Sequence, residues 1–124
     1  MVLVDTSVWI DHLRKGDAKL AQLLHDGAAA IHPFIIGELA CGNLTNREEI
    51  LSLLHALPHL DKADDDEVLF FIEKHKLHGQ GIGLIDLHLL AACKLSKAKL
   101  FSRDKRLASA AEKLHLLMKR TPGT

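Results

Sequence analysis

Short apolar runs alternate along this chain with longer stretches of helical periodicity, and that alternation limits the folds open to it. Residues 2–4, Val-Leu-Val, form an apolar run cut short by Asp5, suited to a buried parallel strand. Thr6 or Ser7 can cap a helix carrying Val8, Ile10 and Leu13, which Gly16 ends. Asp17 caps a second helix with Leu20, Leu23 and Leu24 on one stripe. Residues 28–32 read as a second strand. Pro33 suits the first turn of a helix through Phe34, Ile35, Glu38 and Leu39 that closes near Gly42-Asn43. Thr45 to Glu48 has the form of a capping box ahead of Ile50, Leu53, Leu54 and Leu57. A short strand near residues 60–63 precedes Asp64–Asp66, where acids favour a helix start. The glycines at 79, 81 and 83 mark a loop before an apolar helix over 84–95. Residues 99–102 read as a strand, Asp104 opens a helix with Leu107, Ala111 and Leu114, and 116–118 read as a last strand. Strands alternating with helices need crossover connections. The expected fold is therefore α/β: a parallel sheet of four to five short strands with helices on both faces.

The 124 residues suffice for one domain and one core, with no linker or internal repeat to divide them. The tail after about Lys119 is polar and expected to fray. Met1 leads into the apolar run with no basic leader region, and no apolar stretch is long enough to span a bilayer. The expectation is a cytoplasmic protein. Cys41 and Cys93, far apart in apolar surroundings, read as two buried thiols rather than a disulfide. Net formal charge is zero, but residues 1–93 hold 7 Lys/Arg against 14 Asp/Glu while 94–124 hold 9 against 2. Such segregation can pair an acidic pocket with a basic flank.

Most of the acids have ordinary places at helix starts or on solvated faces. Asp5, Glu38 and Asp86 do not. Each interrupts a segment otherwise fit for burial: Val-Leu-Val-Asp, Ile-Ile-Gly-Glu-Leu-Ala and Leu-Ile-Asp-Leu-His-Leu-Leu. An unpaired carboxylate there costs several kcal/mol or takes up a proton. Asp5 and Asp104 both fall just past the end of an expected strand, where parallel sheets place their ligands. If the four acids converge, their repulsion calls for a cation, and an all-oxygen donor set suits Mg²⁺ or Mn²⁺. Such ions serve phosphodiester hydrolysis without a nucleophilic side chain. Ser7 and Ser102, beside Asp5 and Asp104, can orient carboxylates or water from behind.

The segment 2–10, Val-Leu-Val-Asp-Thr-Ser-Val-Trp-Ile, resembles the opening of PIN-domain toxins of the VapC type. Gly37-Glu38-Leu39 resembles their second acidic motif, the run from Gly83 to Ala92 around Asp86 the third, and that from Leu100 to Leu107 around Asp104 the fourth. The four motifs stand in order across the whole chain. The resemblance implies a metal-dependent endoribonuclease acting on structured RNA of the tRNA or rRNA class, as the toxin of a toxin–antitoxin pair. It implies ligation of the ion by Asp5 and Asp86, with Glu38 and Asp104 completing the site directly or through water. A cognate antitoxin occupying the site and a homodimer are implied too. Arg103, Lys105 and Arg106, next to Asp104, are the candidate RNA contacts. Trp9 and the pair Phe70-Phe71 exceed what a small core plainly needs and offer surface for a partner. Two other readings stand beside this one. A PIN-like module that only binds RNA or protein has no reason to keep carboxylates in apolar surroundings. A zinc hydrolase built on histidines such as His75, His78 and His88 lacks an HExxH motif.

Overall fold

A computed structural model describes residues 1–119. Strand β1 (Val2–Val4) is the centre of a parallel sheet in the order β2–β1–β3, with β2 at Ala29–Ala30 and β3 at Lys99–Phe101. Leu3 and Val4 are fully buried, as a strand covered on both faces requires. Helices α1 (Thr6–Lys15) and α2 (Ala18–His25) connect β1 to β2. Helices α3 (Pro33–Ala40), α4 (Arg47–His55), α5 (Asp65–His75) and α6 (Leu84–Ser96) lie between β2 and β3, and α7 (Lys105–Lys113) follows.

The sheet has three strands rather than four or five, because its two outer members shrink to single parallel bridges, Ile31 with His59 and Leu100 with Leu117. Each outer segment still exchanges two backbone hydrogen bonds: Ile31 N–H to Pro58 O and Leu60 N–H to Ile31 O on one side, Leu100 N–H to Leu116 O and Met118 N–H to Leu100 O on the other. Pro58 has no N–H with which to extend the first pair. Strand β2 also stops short of residue 32. There the His32 ring turns back to accept the Phe34 amide and caps α3, whose first residue is Pro33.

Helix α6 is the keystone of the core. Every residue from Leu87 to Cys93 is buried, so the helix is enclosed on all sides except at its ends. It packs against α5 and β3, while α1 packs against α2 and α3. Trp9 and Phe71 belong to the core and only Phe70, 68% exposed, is left outside, so most of the aromatic surplus read from the sequence is internal. Cys93 is buried and its thiol pushed up to about 12 by desolvation, but Cys41 is exposed. Residue 41 is where α3 ends, so its side chain turns out to solvent. No helix is long and apolar enough to cross a membrane among the described residues. The expected fraying of the tail concerns residues largely outside those described.

Three helix starts differ from expectation. Neither Thr6 nor Ser7 caps α1, whose N-cap is Asp5 with no side-chain cap bond. Thr45 to Glu48 forms no capping box, because Asn46 sits at the N-cap with φ 55° and makes no side-chain bond there. Arg47 instead donates to the carbonyls of Ala40 and Gly42. The capping box is at α5, where Asp64 accepts from the Glu67 amide and Glu67 accepts from the Asp64 amide. Asp64→Ala is therefore expected to cost about 1 kcal/mol in urea unfolding, and Thr45→Ala less than about 0.5 kcal/mol. Equal costs would contradict this assignment of the caps.

Candidate active site

The parallel sheet brings the ends of β1 and β3 to one edge, with Asp5 directly after β1 and Asp104 three residues after β3. Asp5 follows β1 and is 6% exposed; its own amide donates to Phe101 O at 2.9 Å, which carries the ladder one residue past the strand. Two serine hydroxyls, Ser7 and Ser102, both donate to Asp5 Oδ2 at 2.8 Å. The hydroxyls are themselves held from behind. Ser7 Oγ accepts the Arg103 amide and Ser102 Oγ the Asp104 amide, each at 3.0 Å. Ser7 and Ser102, from opposite ends of the sequence, are thus clamped around one carboxylate oxygen. Among the described residues Asp5 Oδ1 accepts no hydrogen bond, so one oxygen is fixed and the other left to a ligand.

Asp104 is the N-cap of α7 through Oδ1, which accepts the Leu107 amide at 3.0 Å. Capping uses one oxygen only. Glu38, on α3, is exposed despite its apolar sequence neighbours, and Thr6 Oγ1 donates to its Oε1 at 2.8 Å. The functional residue that sequence reasoning missed is Thr6. Its place next to Asp5 was visible, but the reach to a residue 32 positions away was not.

Asp86 lies in the first turn of α6, half-buried. Its carboxyl is pushed up from 3.8 to about 6, first by desolvation and then by the negative charges of Asp5, Asp104 and Glu38. The other three acids named from the sequence therefore all act electrostatically on Asp86. They do not form a finished cage: no group of three or more His, Cys, Asp or Glu is close enough to hold a metal ion among the described residues. The donor chemistry nevertheless fits a small hard cation. Magnesium keeps several waters and takes only one or two carboxylates directly, so an open, all-oxygen, mutually repelling set suits it. The zinc reading loses its ground. His88 is buried against the Phe34 ring with centroids 4.9 Å apart, and no cluster gathers it with other histidines among the described residues.

The candidate RNA contacts separate. Arg103 pairs with Asp11 at 3.3 Å and with Asp17, and its guanidinium lies over the Phe101 ring. Burial raises the Asp17 pKa, but the Leu20 amide and Arg103 outweigh it and hold this carboxyl below its usual value. Arg103 is thus committed to internal partners, whereas Lys105 and Arg106 are exposed with no ion pair among the described residues.

Known proteins resemble this chain closely. Residues 2–113 match the model of the PIN domain. Ribonuclease VapC32 of Mycobacterium tuberculosis, in strains CDC 1551 / Oshkosh and ATCC 25618 / H37Rv alike, is 46% identical over 111 residues, covering 89% of this chain and 90% of the relative. The solved structure of FitAB bound to an IR36 DNA fragment aligns with a TM-score of 0.62 at 17% identity, over 90% of this chain and 91% of that one, and supports the fold.

Asp86 makes a test of the crowding that needs no activity. A shift from 3.8 to about 6 would amount to about 3 kcal/mol if fully realised, and screening at a half-exposed site reduces the expectation to about 1 kcal/mol. Asp86→Asn is therefore expected to stabilise the metal-free protein at pH 7 by about 1 kcal/mol, a gain of a few degrees in Tm. The sign follows from the raised value. Below about 6 the native carboxyl holds a proton that the unfolded chain releases down to about 3.8, so this group favours folding increasingly as pH falls across that window. The variant's advantage should shrink accordingly in melts between pH 7 and 4. A less stable variant at pH 7 in EDTA would show that burial and the neighbouring acids do not burden this carboxyl.

Proposed function

Because the chain belongs to the VapC-type PIN-domain family, we propose that it is an endoribonuclease dependent on a divalent cation, Mg²⁺ or Mn²⁺, and the toxin of a toxin–antitoxin pair. The observation that carries this reading is the clamping of Asp5 Oδ2 by the Ser7 and Ser102 hydroxyls beside Asp86, whose pKa is raised by burial first and then by the charges of Asp5, Asp104 and Glu38. In this proposal Asp5 and Asp86 hold the ion, and Glu38 and Asp104 complete the site directly or through water. A divalent cation there supplies charge neutralisation at the scissile phosphate and acidifies water.

The chain's own residues do the rest. Ser7 and Ser102 fix Asp5 so that its Oδ1 faces the site without rearrangement. Thr6 holds Glu38 at the rim, where an exposed carboxylate can take a proton from water. Asp104 keeps Oδ2 available while Oδ1 caps α7, so the acid and the helix it begins move together. Structured RNA of the tRNA or rRNA class is the proposed substrate.

Two partners complete the proposal. A groove of about 490 Å³ lined by Ile10, Leu13, Leu39 and Ile50 reaches Glu38 itself, which suits an apolar antitoxin segment lying across the site. Phe70 and Leu95 line another groove, of about 390 Å³, between α5 and α6, and supply apolar surface for a homodimer.

RNA cleavage by the purified protein is expected to vanish in EDTA and return with Mg²⁺ or Mn²⁺. Asp5→Asn or Asp86→Asn should lower it at least ~100-fold, and Thr6→Val by about tenfold, as loss of a supporting hydrogen bond usually does. Asp104→Asn separates charge from cap, since Asn caps nearly as well as Asp. It should lose activity while melting within about 0.5 kcal/mol of wild type. Near-wild-type turnover in Asp5→Asn, with contaminating nuclease excluded by the EDTA control, would refute the assignment.

A further inference from the structure

A groove of about 390 Å³ runs between the glycine loop at 79–83 and α7, lined by Gln80, Ile82, Lys105, Arg106, Ser109 and Lys113 among others. It begins one residue beyond Asp104. Lys105, Ser109 and Lys113 recur every fourth residue and so stand on one face of the helix, spread over about 12 Å. All three are exposed. No carboxylate lines the groove, and Glu112 faces a different one with Lys99 and His115. Both ion pairs among the described residues belong to Arg103, so the two lysines carry uncompensated charge.

Arg106 is differently placed. A Cβ at Gly81, where φ is +73°, would lie 2.8 Å from its Nη1, and that nitrogen is 3.4 Å from the Gly81 carbonyl oxygen. Its guanidinium rests on the loop leading to α6 and forms the wall of the groove. Lys105 and Lys113 are the free cations within it.

Resting on the ribonuclease reading, we propose that this groove is the track by which the RNA backbone leaves the acidic site, with successive phosphates paired to Lys105 and Lys113 and a hydroxyl, Ser109, between them. Flexible ammonium groups spaced along a helix suit a repeated phosphate, whereas the acidic pocket itself repels it. No aromatic side chain lines the groove to stack a base. The track holds the strand without reading its sequence, and base preference arises elsewhere.

The test is fluorescence anisotropy with labelled RNA hairpins of two unrelated loop sequences, in EDTA, from 50 to 200 mM KCl. The full chain is compared with Lys105→Gln/Lys113→Gln and with Lys15→Gln/Lys97→Gln, exposed at the C-terminal ends of α1 and α6. Removing two phosphate contacts should weaken binding about tenfold or more and flatten the log–log salt dependence by about 1.4. The effect should be equal for both hairpins, and the distant pair should bind like wild type. An unchanged salt slope in Lys105→Gln/Lys113→Gln, or an equal loss in the distant pair, overturns the track. Should the wild type cleave no RNA with Mg²⁺ or Mn²⁺ yet bind with the expected slopes, the ribonuclease reading fails and the track stands. Absence of RNA binding overturns both.

Discussion

The structure depends on holding like charges together at one edge of a small sheet. Asp5 is nearly buried, and the crossing hydroxyls of Ser7 and Ser102 on a single oxygen are what make its charge tolerable there. A buried carboxylate without such donors would cost several kcal/mol. Burial, and then the charges of Asp5, Asp104 and Glu38, make the ionisation of Asp86 harder. The protein carries this repulsion in its resting state. A bound cation would relieve it, which links affinity for the ion to the strain of assembling the site.

The scaffold that resists the repulsion is mostly α6 and the short parallel ladder. Enclosure of α6 from Leu87 to Cys93 fixes Asp86 at its mouth, since the helix cannot rotate without exposing core side chains. The ladder fixes Asp5 relative to Asp104 through adjacent strands in register. Arg103 adds a clip across the surface, tying the turn after β3 to Asp11 within α1 and to Asp17 at the N-cap of α2. That commitment explains why the basic residue nearest the acids is not the one best placed for phosphate. The unpaired cations closest in sequence to Asp104 stand instead on α7, beginning with Lys105.

Much of this was legible in the residues. The acids that cut apolar runs at Asp5 and Asp86 stood out because burying a charge is costly enough to leave a signature in composition, whereas Glu38 breaks an apolar run in the same way and is exposed. Helix positions followed from periodicity for the same reason. What escaped were features decided by single backbone angles or by tertiary partners. Asn46 adopts φ 55°, and a capping box readable at Thr45 is lost. Cys41 faces out because α3 stops there, and the outer strands reduce to bridges beside Pro58 and Leu116. The Thr6–Glu38 hydrogen bond joins the first two acidic motifs, and no local pattern announces it.

The central claim is that Asp5 and Asp86 share one divalent ion. Anomalous diffraction from crystals soaked in Mn²⁺ tests it without reference to turnover. The account predicts a single strong peak in coordination contact with Asp5 Oδ1 and the Asp86 carboxylate, with Glu38 and Asp104 around it. Manganese bound elsewhere, with these carboxylates left apart and unliganded, would contradict it.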